Sequence, residues 1–170
     1  MPRQVFYSFH FNNDVFRVQQ IRNIGNIDDN KPTSEDTWDS IKREGPKAIK
    51  DWIGRNMKNR SCVIVLIGNQ THERPYVKYE IEKAWNDGRG LLGIHIHNLK
   101  NAQGNQSSKG KSPFKKFDVK IDNRGNKANM DNIVKRIDPP YDSSQNVYNH
   151  IRNNMEDWVE EAIAIRKKYP

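Results

Sequence analysis

Residues 61–81 read SCVIVLIGNQTHERPYVKYEI, and the order of characters in this stretch decides the fold class. The run SCVIVLI at 61–67 is nearly all apolar, short, and closed by Gly68, which is the pattern of a strand buried on both faces. A polar loop, NQTHER, follows. Pro75 suits the first turn of a helix, and Val77, Ile81, Ala84 and Trp85 then recur at three- and four-residue steps, so they share one stripe. Asp87-Gly88 ends that helix. A doubly buried strand leading into an amphipathic helix is the repeating unit of a parallel sheet covered by helices.

The unit recurs outward in both directions. LLGIHI at 91–96 reads as the next strand, and QVFYSF at 4–9, mixing β-branched and aromatic residues, as the first. A helix is expected from Asn12 or Asn13, either of which can cap it, through Val15, Phe16, Val18 and Ile21 to a stop at Gly25. The polar stretch NIDDNKPTSEDT, 26–37, reads as a loop before Trp38. Pro46 opens a further helix to about Met57, with Ala48, Ile49, Trp52 and Ile53 on one side. The Gly/Ser/Lys-rich stretch from Asn98 to Phe114 reads as a loop too polar to pack. Residues 117–137 are ambiguous, with IVKRI at 133–137 a candidate short strand. Pro139-Pro140 breaks the chain, and a last helix runs from about Ser144 to Lys167 with Ile151, Met155, Trp158, Val159 and Ala162 on one face.

Strands alternating with helices predict an α/β fold, a doubly wound parallel sheet with helices on both faces. The 170 residues fit one domain, 1–170, with a C-terminal helical extension from about residue 143. In such sheets ligands gather outside the carboxyl ends of the strands. That rule points to Ser8-Phe9-His10-Phe11, to Gly68 through Thr71, and to His95-Ile96-His97-Asn98, and the sequence is polar in all three places.

Composition narrows the function classes. Cys62 is the sole cysteine, so no disulfide within the chain and no cysteine-based metal site can form. The first residues do not resemble a signal peptide and the apolar runs are too short to cross a bilayer, so a cytoplasmic, non-membrane protein is expected. The net charge of +8 favours anionic partners. Most aromatics, however, lie in the strands and helices, and Phe114 alone falls within the basic clusters at 109–116 and 166–168, which counts against nucleic acid.

The same segments carry a family resemblance. VFYSFHF with DVFRVQQIRN after it, Trp38 within EDTW, the block VIVLIGNQTHERPYVKYEI, and LLGIHIHNLKNAQGNQSSKGKSPF resemble, in that order, the TIR-like proteins of the Thoeris anti-phage defence system. The resemblance covers about two thirds of the chain and thins after residue 118. It implies a flavodoxin-like TIR fold and an enzyme that consumes NAD as a substrate, with no retained cofactor. Family members cleave the nicotinamide–ribose bond and release a cyclic ADP-ribose isomer or an ADP-ribose conjugate, which activates a downstream effector after phage infection. A phage-derived trigger and self-assembly are implied with it. The family's catalytic glutamate sits a few residues beyond an aromatic on the helix after this strand, which carries the role onto Glu80 in Tyr76-Val77-Lys78-Tyr79-Glu80-Ile81. Tyr76 stands where relatives commonly have tryptophan.

The residues themselves fit that chemistry in part. Loss of nicotinamide leaves positive charge on the ribose, as in glycoside hydrolysis, and a carboxylate in a water-poor cleft steadies it. On the helix, Glu80 falls about 85° from the centre of the buried stripe and Glu82 about 115° away on the wetter side. A glutamate that merely complements the helix dipole is the competing reading for Glu80. The remaining substrate-binding candidates are Ser8, Phe9, His10, Arg17, Arg22, Trp38, Thr71 and Tyr76. Phe9 reads equally as core, His10 as a cap or surface residue, Arg17 and Arg22 as a solvated helix face, and Trp38 as packing beneath a loop. His95 and His97 point to the same face of a strand, but no third ligand converges on them, so no metal site is expected. No Gly-x-Gly-x-x-Gly or Walker loop is present, which argues against tight dinucleotide retention. A TIR-type interaction module without catalysis is the alternative to the enzyme.

Overall fold

Six of six residues in the strand Cys62–Ile67 are fully buried, the outcome expected of a strand sandwiched between helix layers. The computed structural model describes residues 3–24, 28–29 and 40–170. Along the chain run β1 (Gln4–Ser8), α1 (Phe11–Arg22), β2 (Asp28–Asp29), α2 (Pro46–Met57), β3 (Cys62–Ile67), α3 (Pro75–Asn86), β4 (Gly90–His95), β5 (Asp118–Lys120), β6 (Lys127–Asn129), β7 (Lys135–Ile137) and α4 (Ser144–Arg166). The main sheet has the order β2-β1-β3-β4-β7 and every pairing in it is parallel. Counted within the sheet this is order 2-1-3-4-5, the flavodoxin-like arrangement, so the doubly wound α/β expectation holds.

Strand alternation assigns each side chain to a layer. Val5 and Tyr7, with Cys62, Ile64, Leu66, Leu92 and Ile94, face α1 and α4. Phe6, with Val63, Val65, Ile67 and Leu91, faces α2 and α3. By the same alternation Ser8 points to the α2/α3 side. Register places Ser8 opposite Val65, so Ser8 lies beside the second half of β3. The apolar stripe of α4, Val147, Ile151, Met155, Trp158, Val159, Ala162 and Ile163, lies in the same core as α1. Gly90 lets α4 approach closely, since a Cβ there would sit 2.9 Å from the Ile163 backbone nitrogen.

Several sequence expectations need correction. α1 begins at Phe11 with His10, and not Asn12 or Asn13, in the cap position, and the His10 side chain makes no cap hydrogen bond; the described helix ends at Arg22. Gly25 and Trp38 lie outside the described residues. The polar stretch at 26–37 contains a two-residue edge strand, β2, paired to Gln4 and Val5; two aspartates carry no strand signature. Residues 133–137 do form a strand, β7, limited to 135–137 and paired to β4. Before it, β5 and β6 make a small antiparallel hairpin around Asp122 and Gly125, whose φ is +87°.

The loop after β4 packs, contrary to expectation. Leu99, Ser112, Pro113 and Phe114 are buried. Side-chain donors from α1 satisfy its backbone: Gln20 Nε2 donates to Lys100 O at 2.7 Å, and Arg17 donates to Leu99 O and Asn105 O. Gly110 then lies on the end of β3, where a Cβ would be 2.0 Å from Gly68 O. A polar loop can be buried when its amides and carbonyls find partners, and composition does not report that. Among the described residues no helix is long and apolar enough to cross a membrane.

Candidate active site at the carboxyl rim of the sheet

Chain order reverses between β1 and β3, and the crevice outside their carboxyl ends is where a sheet of this kind takes ligands. Ser8 ends β1 there and is fully buried. Its hydroxyl donates to Glu80 Oε1 at 2.9 Å. Glu80 is the sixth residue of α3 and only 7% exposed, whereas Glu82 is exposed. It therefore lies beyond the first helical turn and buried, which removes the reading as a simple complement to the helix dipole. Burial pushes the Glu80 carboxyl up to about 8, and the Ser8 hydrogen bond pulls in the opposite direction. The arrangement is a buried carboxyl, proton-bearing near neutral pH, oriented by one hydroxyl.

His10 is half-buried, and its carbonyl accepts from Asp14 N–H at 2.9 Å while its ring makes no cap hydrogen bond. Burial lowers its pKa, and the Arg74 cation lowers it further. Phe9 is partly buried against the core that holds α1 and α4. Thr71 is fully buried, and its Oγ1 accepts from Gly68 N–H at 2.8 Å, closing the turn after β3. Tyr76 is half-buried against the α2/α3 core.

The two candidate arginines of α1 are not brought to Glu80. Arg17 is 4% exposed and turned inward: Nε donates to Leu99 O at 2.8 Å, Nη2 to Asn105 O at 3.0 Å, and Nη1 lies 3.5 Å from Asp14 Oδ1. Its fork is occupied in holding the loop after β4. Arg22 is in the last turn of α1, roughly 16 Å along the helix axis from the rim where α1 begins. His95 is buried at the end of β4, where Arg136 Nη1 lies 3.0 Å from its Nε2, and its ring meets His97 edge-on at 5.9 Å. Among the described residues no group of three or more His, Cys, Asp or Glu is placed to hold a metal.

Asp14 is the rim residue that sequence reasoning missed. It is 1% exposed, and its carboxylate presses on Gly68, where a Cβ would be 2.1 Å from Oδ2. Burial raises its pKa to about 6, against Arg17, Asn13 and Thr71, which favour the anion. An aspartate in a first helical turn reads as a dipole partner, and only its inward direction distinguishes it.

Residues 6–101, from within β1 through β4, match the family of the Thoeris protein ThsB, TIR-like domain. The chain belongs to this family. Its flavodoxin-like strand order is thus that of a TIR fold. Among curated proteins, the chain is similar to "Putative cyclic ADP-D-ribose synthase ThsB1" of Bacillus cereus (strain MSX-D12), with 37% identity over 119 residues. That match takes in 67% of this chain and spans 62% of the relative's length. Ser8, His10, Arg74 and Glu80 all fall within the part that matches the ThsB TIR-like family.

Proposed function

We propose that this ThsB-family TIR-like protein is an NAD-consuming enzyme that breaks the nicotinamide–ribose bond and converts the ADP-ribose part into a cyclic ADP-ribose-type or ADP-ribose-conjugate signal. The observation that carries the reading is the buried Glu80 carboxyl, held by Ser8 at the switch point of the sheet. The name of the Bacillus relative supports the product class.

Nicotinamide departs as a neutral molecule from a cationic pyridinium, so the leaving group needs no strong acid. The ribose is left electron-poor, and Glu80 as carboxylate is the group that steadies it. In the free protein Glu80 holds a proton near neutral pH. A cationic ring beside it favours the carboxylate, so substrate binding is coupled to loss of that proton. Ser8 orients the carboxyl and favours its ionised form. Phe9 and Tyr76 offer aromatic surface, and His10 a ring N–H, for the rest of the dinucleotide. The messenger then acts on a downstream effector in the cytoplasm, with a phage-derived trigger and self-assembly governing when the site turns over.

The test is mass spectrometry of nucleotides from phage-challenged cells expressing wild type or Glu80→Gln. NAD depletion and a new ADP-ribose-derived species in wild type alone is the expected result. Identical profiles in the two would leave a non-catalytic interaction module as the function.

A further inference from the structure

The two arginines of α1 leave the diphosphate of the proposed dinucleotide without a cation, yet the rim holds another. Arg74 occupies the cap position of α3, six residues before Glu80, on the connection that leaves the carboxyl end of β3. Among the described residues it forms no ion pair; its hydrogen bond is a long one, Nη2 to Gln70 Oε1 at 3.3 Å. Its Nε is buried and meets no acceptor. His10, just past the end of β1, is near enough for the arginine's charge to act on the ring, and His10 Nδ1 is likewise buried without a partner. Both groups thus lie at the carboxyl ends of β1 and β3 with an unpartnered nitrogen each, and the charge on Arg74 works against protonation of His10. A guanidinium left without a carboxylate costs desolvation that an anionic ligand would offset. Its planar fork suits the non-bridging oxygens of a diphosphate.

We propose that Arg74, with His10 beside it, is the diphosphate-recognition element of this site, Arg74 supplying the charge and the paired N–H donors. The inference rests on the NAD reading and adds to it a residue and a ligand group. It also assigns distinct tasks to three basic residues of similar type: Arg74 to ligand, Arg17 to the loop after β4, Arg22 to neither.

The test is equilibrium binding by the full chain of ADP-ribose, which carries the diphosphate, and adenosine, which lacks it. Arg74→Gln should weaken ADP-ribose about 10- to 100-fold, the worth of a charge-assisted contact, and leave adenosine within about twofold. Arg74→Lys should recover part of that loss. Lys58→Gln removes the same charge from an exposed position between α2 and β3, at the amino end of the sheet, and should change neither ligand. In nitrogen-15 spectra, inorganic pyrophosphate should shift the Arg74 side-chain N–H resonance in wild type. Equal ADP-ribose affinity in wild type and Arg74→Gln would overturn the inference while leaving the role of Glu80 standing. Equal losses for ADP-ribose and adenosine, or an equal loss in Lys58→Gln, would overturn it in favour of a structural or diffuse electrostatic effect. Absence of ADP-ribose and pyrophosphate binding by wild type would overturn both this inference and the NAD reading.

Discussion

Replacing Glu80 by Gln should abolish turnover and, as pH rises, make the protein progressively more stable than wild type. In the unfolded chain Glu80 ionises near its ordinary 4.5; in the fold, burial raises this to about 8. Between those values the folded state binds a proton that the unfolded state has released. Wild-type stability therefore contains a contribution that is fully present below about pH 4.5 and is lost as pH rises toward 8. The slope is about 1.4 kcal/mol per pH unit, which accumulates to roughly 3 kcal/mol at pH 7. Gln carries no such proton. Its amide also bears an NH2 that needs an acceptor, a cost of about 1–3 kcal/mol if it finds none. That cost does not depend on pH, so it displaces the difference between the two proteins without changing its slope. Urea unfolding of both proteins from pH 3 to 9 measures the difference. It should be flat at the acid end, climb through neutral pH and level off above 8. Parallel stability curves across the range would refute the reasoning, because they would mean that Glu80 ionises in the fold as it does in water.

The pH profile of kcat/KM for NAD reports the free enzyme, and it should rise through neutral pH to a bend near 8; a bend close to 4.5 would contradict a buried, proton-bearing Glu80. Ser8→Ala removes the hydrogen bond that favours the carboxylate and should move that bend to higher pH, read from the same initial-rate series. Gly110→Ala sets a methyl group 2.0 Å from the Gly68 carbonyl oxygen, a backbone atom that no rotamer change can move, and should cost about 1–3 kcal/mol in urea unfolding. Arg17→Met leaves Asp14 buried without its cation and frees the Leu99 and Asn105 carbonyls, a loss of about 3–5 kcal/mol. Hydrogen exchange at 99–107 should quicken with it, and unchanged exchange there would show that Arg17 does not hold the loop.

Elements whose signal is local were legible in the residues. β1, β3 and β4 show as short apolar runs, and the three later helices show as stripes at three- and four-residue spacing, because burial on both faces or on one stripe constrains each residue separately. β2 and the β5–β6 hairpin were not legible. Their residues are few and polar, and pairing to a neighbour, not side-chain burial, makes them strands. The loop at 98–114 misled for a related reason: its lysines, serines and glycines describe solubility, while its burial depends on donors reached from α1.

The candidate site divides along the same line. Glu80 on the edge of a buried stripe, Ser8 at the end of a buried strand, and a parallel sheet that gathers ligands at its carboxyl rim all follow from patterns within single elements. Which partner each side chain meets does not. Ser8 faces Glu80 because β1 pairs with β3 in one register and α3 covers that side. Arg17 turns inward because the loop after β4 passes within its reach, while Arg74 stays on the connection after β3, its side chain bonded only to Gln70 among the described residues. Periodicity is a property of neighbours along the chain. The division of labour among like residues was decided by segments up to 88 positions apart, and only the packed structure brings those together.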